Sequence, residues 1–148
     1  MNRLKNLDRL STYLKGFRLA GASCGYMFVT AQADATTRLD KASGDQVVIA
    51  RPEVRQGGFG QDNYREDFDT AVFVLAKDLG AARTDEAEEA QYSRLMGLAD
   101  AVLAKIAADC TGYCGLMSGF EISDVQVVPE TSLFGGWCGF SMSIGFRR

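Results

Sequence analysis

Beyond Trp137 the chain alternates with a strict period of two. Cys138, Phe140, Met142, Ile144 and Phe146 fall on one side, and Gly139, Ser141, Ser143, Gly145 and Arg147 on the other. Successive side chains of a strand point to opposite faces, so the first set predicts a core face. The second set is small and weakly polar, suited to solvent or to the close approach of a partner. A different period governs residues 85–109, where Tyr92, Leu95, Ala99, Val102 and Ile106 recur at three- and four-residue steps, flanked by Leu98 and Leu103. That spacing predicts one long helix with a core stripe. Asp85 and Glu88 are spaced as a capping box, and Glu86 and Glu89 add negative charge where the helix dipole favours it. Gly112 and Gly115 end the pattern. Near the start, Leu4, Leu7, Leu10, Leu14 and Phe17 predict an amphipathic helix within residues 1–17 that covers a sheet or, as the alternative, docks on a neighbouring subunit.

Strands are expected at residues 24–31, 46–50 and 68–77, each rich in β-branched or aromatic side chains. Another is expected at 118–128, where the apolar phase shifts near Asp124 and predicts either a β-bulge or two short strands. Residues 32–44 read as a loop, 52–66 as a long irregular connection and 129–136 as the link to the last strand. The resulting order is helix, three strands, long helix, two strands (α-β-β-β-α-β-β). It predicts an α+β fold: a mainly antiparallel sheet with an N-terminal helix and one long helix packed on it, both on one face. At 148 residues the chain suits a single domain over 1–148.

Composition then narrows the chemistry. The net charge is −3, so the basic footprint of a nucleic-acid binder is missing and no specific nucleic-acid binding is expected. No apolar run approaches the ~18 residues that span a bilayer, and the charged start does not resemble a secretory signal. No membrane partner is expected, and assembly in a cytoplasm is. Histidine is absent altogether, which removes His-dependent nucleophile triads and histidine acid–base catalysis. Cys24, Cys110, Cys114 and Cys138 read as reduced thiols, since Cys110 and Cys114 have no second close pair to complete a zinc site. Acidic pairs occur at Glu66/Asp69 and Glu86/Glu89, in places where charge is easily solvated. The expectation is a protein that is not an enzyme and that uses no metal or cofactor.

The connection 52–66 holds Gly57, Gly58 and Gly60 around Phe59, but lacks the lysine and following Ser/Thr of a phosphate-binding loop. Its mixture of arginine and aromatic residues has the composition of contact hot spots. Arg51, Arg55, Phe59, Tyr64 and Arg65 are therefore the candidate protein-interface residues.

Three segments carry a family likeness: Asp67-Phe68-Asp69-Thr70-Ala71-Val72-Phe73-Val74-Leu75 as a central strand, the helical stretch from Tyr92 to Leu103, and the closing strand from Gly136 to Phe146. In this order they resemble the tail-terminator and head–tail joining (neck) proteins of tailed bacteriophages. The resemblance implies a virion or prophage structural protein at the head–tail junction. It would form a ring with itself, usually sixfold, and meet the tail tube and head-connector proteins. A head-completion protein or an injection-system component shares the same physics. The alternative from another class is a small-molecule-binding α+β domain, its pocket between long helix and sheet lined by Phe28, Phe73, Phe120, Phe140 and Met142.

Overall fold

A computed structural model describes residues 4–57 and 65–148. The elements follow in the order α1 (Lys5–Lys15), β1 (Gly25–Val29), α2 (Gln32–Leu39), β2 (Gln46–Ala50), β3 (Glu53–Gly57), β4 (Arg65–Lys77), a short 3-10 turn at Gly80–Ala82, α3 (Asp85–Cys110), β5 (Glu121–Leu133) and β6 (Trp137–Arg147). The fold is α+β, with a mixed, mostly antiparallel six-stranded sheet among the described residues. Its order is β1-β2-β4-β6-β5, and β3 pairs with the lower half of β4 beside β2. All pairings are antiparallel except β1 with β2.

Alternation sorts the sheet into two faces. Val47, Ile49, Phe68, Val72, Val74, Phe140, Met142, Ile144 and Phe146 point to one side. There they meet Leu10, Leu14 and Phe17 from the first helix and its exit, and Leu95, Ala99, Val102 and Ile106 from α3. The core face expected of β6 is thus buried, and α1 covers its own sheet. Two polar anchors fix α3 in place. Buried Gln91 donates to the Lys77 carbonyl at 2.9 Å and accepts from the Cys138 thiol at 3.1 Å. Arg94 holds Asp45 through two bonds of 2.9 and 3.0 Å. At the far end of α3, the Tyr13 hydroxyl donates to Asp109 at 2.6 Å and Lys105 donates to the same carboxylate. Burial, reinforced by Asp109, pushes the Tyr13 phenol well up from its ordinary value. It therefore stays a donor that locks α1 to α3.

The opposite face departs from expectation. Residues 32–44 are not a loop throughout: α2 crosses there and buries Ala35 and Leu39 against Met27, Val29, Val48, Leu75 and Trp137. It is the crossover that parallel β1 and β2 require, since a parallel pair cannot be joined by a tight turn. Helices therefore lie on both faces, and α2 covers only the β1–β2 end of its face. Four strands, not three, precede α3, because Glu53–Gly57 pairs with β4 after the kink at Arg51-Pro52. β4 begins at Arg65, three residues earlier than expected. The α3 cap is Thr84, whose hydroxyl accepts from Ala87 N at 3.1 Å, in place of the expected Asp85. Glu88 instead pairs with Arg83 at 2.8 Å. The bulge expected near Asp124 is present between Ile122 and Asp124. β5 runs on through Pro129 to Leu133, so the link to β6 is only a tight turn. Phe134, Gly135 and Gly136 all have positive φ in that turn.

β4 and β6 pair over their whole common length, from Asp67↔Arg147 to Lys77↔Trp137. Gly139 sits in this ladder with φ of 149°, and a side chain there would run into the Val74 carbonyl oxygen. The obstruction is backbone, which cannot swing aside. Gly139→Ala is expected to cost about 3 kcal/mol, by overpacking and an unfavourable φ. For a chain of this size that is a fall in Tm of roughly 6–12 °C, checked by thermal unfolding followed by circular dichroism.

Candidate protein–protein interface

The sheet has two open sides. Among the described residues, nothing pairs with the outer edge of β5 on one side or of β1 and β3 on the other. β5 is thirteen residues long and exposed along nearly all of it. Val125, Val127 and Val128 keep 39%, 45% and 39% of their surface open to solvent. An edge of this length carrying exposed valines is a template for pairing with another chain. Its interruptions are the bulge at Asp124, Pro129 and a second register shift between Glu130 and Leu133, devices that limit how far a second strand can continue the ladder.

The β1 side differs in charge and in backbone. Gly25 N and Val29 O bond toward β2, so the polar groups of Tyr26 and Phe28 point outward. Arg38 donates to the outward Phe28 carbonyl at 2.9 Å. Arg18 lies over the Tyr26 ring at 4.7 Å and Arg51 over the Phe28 ring at 4.9 Å. A cavity of about 290 Å³ opens between Lys15, Arg18, Tyr26, Phe28 and Arg38. This edge is basic and aromatic.

The residues expected to form one interface loop divide between these surroundings. Arg51 stands at the β1 edge, with its Nε donating to Thr30 at 3.2 Å. Arg55 and Arg65 lie farther down, on the sheet face opposite α1 and α3, where the register sets Arg55 across from Asp67. Arg55 pairs with Asp69 at 3.4 Å, and Asp67 forms an ion pair with Arg65 at 3.9 Å and accepts a hydrogen bond from Arg147 at 3.2 Å. The result is a lattice of alternating charge on an open face. Phe59 and Tyr64 lie outside the described residues.

The other candidates separate too. Glu66 and Asp69 point to opposite faces of β4, as an odd spacing on a strand requires. Buried Glu66 accepts from Asn6 at 2.7 Å and Gln56 at 3.2 Å, bonds that tie α1 and β3 to β4. Burial pushes the Cys110 and Cys138 thiols up from their usual value, so both stay protonated and pack as small apolar groups. Phe120, Phe140 and Met142 fill the core beneath α1 and α3. Phe73 points the other way and meets Phe134 edge-on at 5.1 Å. A cavity of about 250 Å³ opens beside this pair, bounded by Val29, Ala35, Ala50, Ala71 and Leu133. Three of the five residues expected to line a pocket between long helix and sheet are thus core, and the apolar cavity beside Phe73 lies on the other face.

The long β5 edge and this second cavity were not singled out from sequence. The signal for the first is the run Val125, Val127, Val128 and Pro129, apolar on both faces of one strand with a proline that marks an edge. No protein-family model and no curated protein matches the chain.

Arg55 is largely exposed and its ion pair with Asp69 is a surface pair, worth less than about 1 kcal/mol. Arg55→Ala is therefore expected to keep its unfolding midpoint close to that of the unaltered chain, read by thermal denaturation. A midpoint lowered by many degrees would show that Arg55 does more than pair with Asp69 at the surface.

Proposed function

We propose that the chain is a structural subunit that works by assembly, closing into a ring at the head–tail junction of a tailed bacteriophage or prophage as a tail terminator. The single observation that carries this reading is the pair of open sheet edges, one of them thirteen residues long with three exposed valines. Such edges are normally short, charged throughout or covered in proteins that remain alone. A subunit with two different open sides joins head-to-tail, and head-to-tail contacts close into rings when the rotation allows. The long helix lying across a mostly antiparallel sheet supports the reading. The function needs no cofactor and no bond chemistry. It needs a stiff body, which the double-faced sheet provides, and complementary sides. The tail tube and the head connector are the partners this role requires, and a neck or head-completion subunit would meet the same demands.

The second reading, a small-molecule-binding domain, rests on the apolar cavity beside Phe73 and Phe134. Phe134 has φ of 49°, a left-handed conformation that is unfavourable for a bulky residue and is held here by packing over Phe73.

Mass photometry over a concentration series, with negative-stain imaging of the concentrated sample, separates the two. The expected result is a single large species seen as closed rings of uniform size, usually six subunits. A strict monomer at every concentration, with a small molecule carried through purification, would overturn the ring reading in favour of the cavity.

A further inference from the structure

We infer that the cavity beside β1 is a binding site for a phosphate group, free or borne by a small molecule. The inference goes beyond the assembly reading and does not depend on it.

Unanswered charge comes first. Arg55, Arg65, Arg83, Arg94 and Arg147 each face a carboxylate of this chain. Around the cavity that pairing fails. Lys15, Arg18 and Arg38 line it together, and no acidic side chain does. Arg51 adds a further cation, stacked on the Phe28 ring that forms part of the wall. Among the described residues, Lys15, Arg18 and Arg51 form no ion pair with a carboxylate. Asp34 reaches only Arg38, at 3.8 Å and with both side chains open to water. The carbonyl end of α1 also borders the cavity, and Lys15 in its last turn offsets it. In a chain whose net charge is −3, a hollow walled by cations alone concentrates a positive field that an anion relieves.

The guanidinium groups are already held in place. Arg18 lies over the Tyr26 ring at 4.7 Å, and its Nη1 donates to the Phe17 carbonyl at 2.6 Å. The Tyr26 hydroxyl accepts from Leu19 N at 2.8 Å, which fixes the ring that seats Arg18. Arg38 reaches across from α2, and its Nη1 donates to the Phe28 carbonyl at 2.9 Å. A guanidinium carries several N–H donors, so each keeps most of them for a ligand. Planar, forked donors match the oxygens of a phosphate. Because both groups are seated in advance, binding has little side-chain freedom left to remove.

Size and shape narrow the class. A volume of about 290 Å³ stands at the lower end of small-molecule sites, enough for a phosphate with a small organic body. Nucleic acid fits less well. Tyr26 and Phe28 are half-buried and covered by Arg18 and Arg51, so neither ring is free to stack on a base.

Isothermal titration calorimetry of the full chain tests the site, with inorganic phosphate, glycerol phosphate and a short oligothymidylate at matched ionic strength. Saturable binding of one phosphate per chain is expected, weakened about tenfold or more in Arg18→Gln/Arg38→Gln. The comparison variant Arg83→Gln/Lys105→Gln loses the same charge elsewhere, and its affinity is expected to stay within about twofold. Circular dichroism and thermal unfolding establish that both variants are folded. Tighter binding of glycerol phosphate would assign the site to phosphate esters, and equal binding would assign it to the free anion; either result upholds a phosphate site. Absence of saturable phosphate binding would overturn the inference. Equal weakening in both variants would also overturn it, reducing the cavity to diffuse surface charge. Oligothymidylate bound far more tightly than either small probe would overturn it in favour of nucleic acid. Sedimentation velocity on the same samples reports assembly separately, so loss of the phosphate site and loss of the ring reading are distinct results.

Discussion

The antiparallel ladder between β4 and β6 is the constraint from which the rest of the molecule follows. It runs through eleven register pairs in the middle of the sheet, with strands on both sides. Its helix-side residues, from Phe68 and Phe146 up to Ala76 and Cys138, create the apolar surface that α1 and α3 must cover. Gly139 permits the approach of β6 to the Val74 carbonyl, where any side chain would block it. Gln91 then reads the end of the ladder directly, holding the Lys77 carbonyl and the Cys138 thiol. Placing β4 and β6 at the centre also sends β1 and β5 to the sides, and so decides which strands are left open.

The two faces of the sheet have unequal cover, and this gives the molecule its character. One face is closed by α1 and α3 over a continuous core. The other is closed only at the β1–β2 end, by α2 and the Phe134 turn. Across the rest of it lie Ser141, Ser143 and Gly145 of β6 and the charge lattice around Asp67. The open edges bound both faces. Acidic groups and valines mark the β5 side, and arginines stacked on Tyr26 and Phe28 mark the β1 side. A body that is stiff in the middle and unlike at its two sides is suited to repetition in one direction. Exposed charge pairs contribute little to folding, but across an interface the same charges choose partner and register.

Strong periods made the central elements legible from sequence. The strict alternation after Trp137 located both faces of β6, and the Leu95–Ile106 stripe located α3. The apolar phase slip near Asp124 located a bulge. What escaped has physical reasons. α2 spans only eight residues, has no capping side chain and buries just Ala35 and Leu39, so its sequence looks polar. β3 is short and charged because it packs on an edge, where Glu53 and Arg55 remain in water. Phe73 reads like the helix-side aromatics because an unbroken apolar run such as Val72–Ala76 hides alternation when both faces are buried. Composition groups Arg51 with Arg55 and does not record the strand register that parts them. The open edge of β5 is a property of strand order, and strand order is set by pairings between segments far apart in the chain.

Hydrogen–deuterium exchange at two protein concentrations, read on peptides covering residues 24–31 and 121–131, tests most directly whether the sheet edges are where copies meet. The account predicts that exchange in both segments slows together at the higher concentration, while the exposed face of α3 around Met96 is unchanged. Assembly that leaves both edges exchanging as they do in the dilute protein would contradict it.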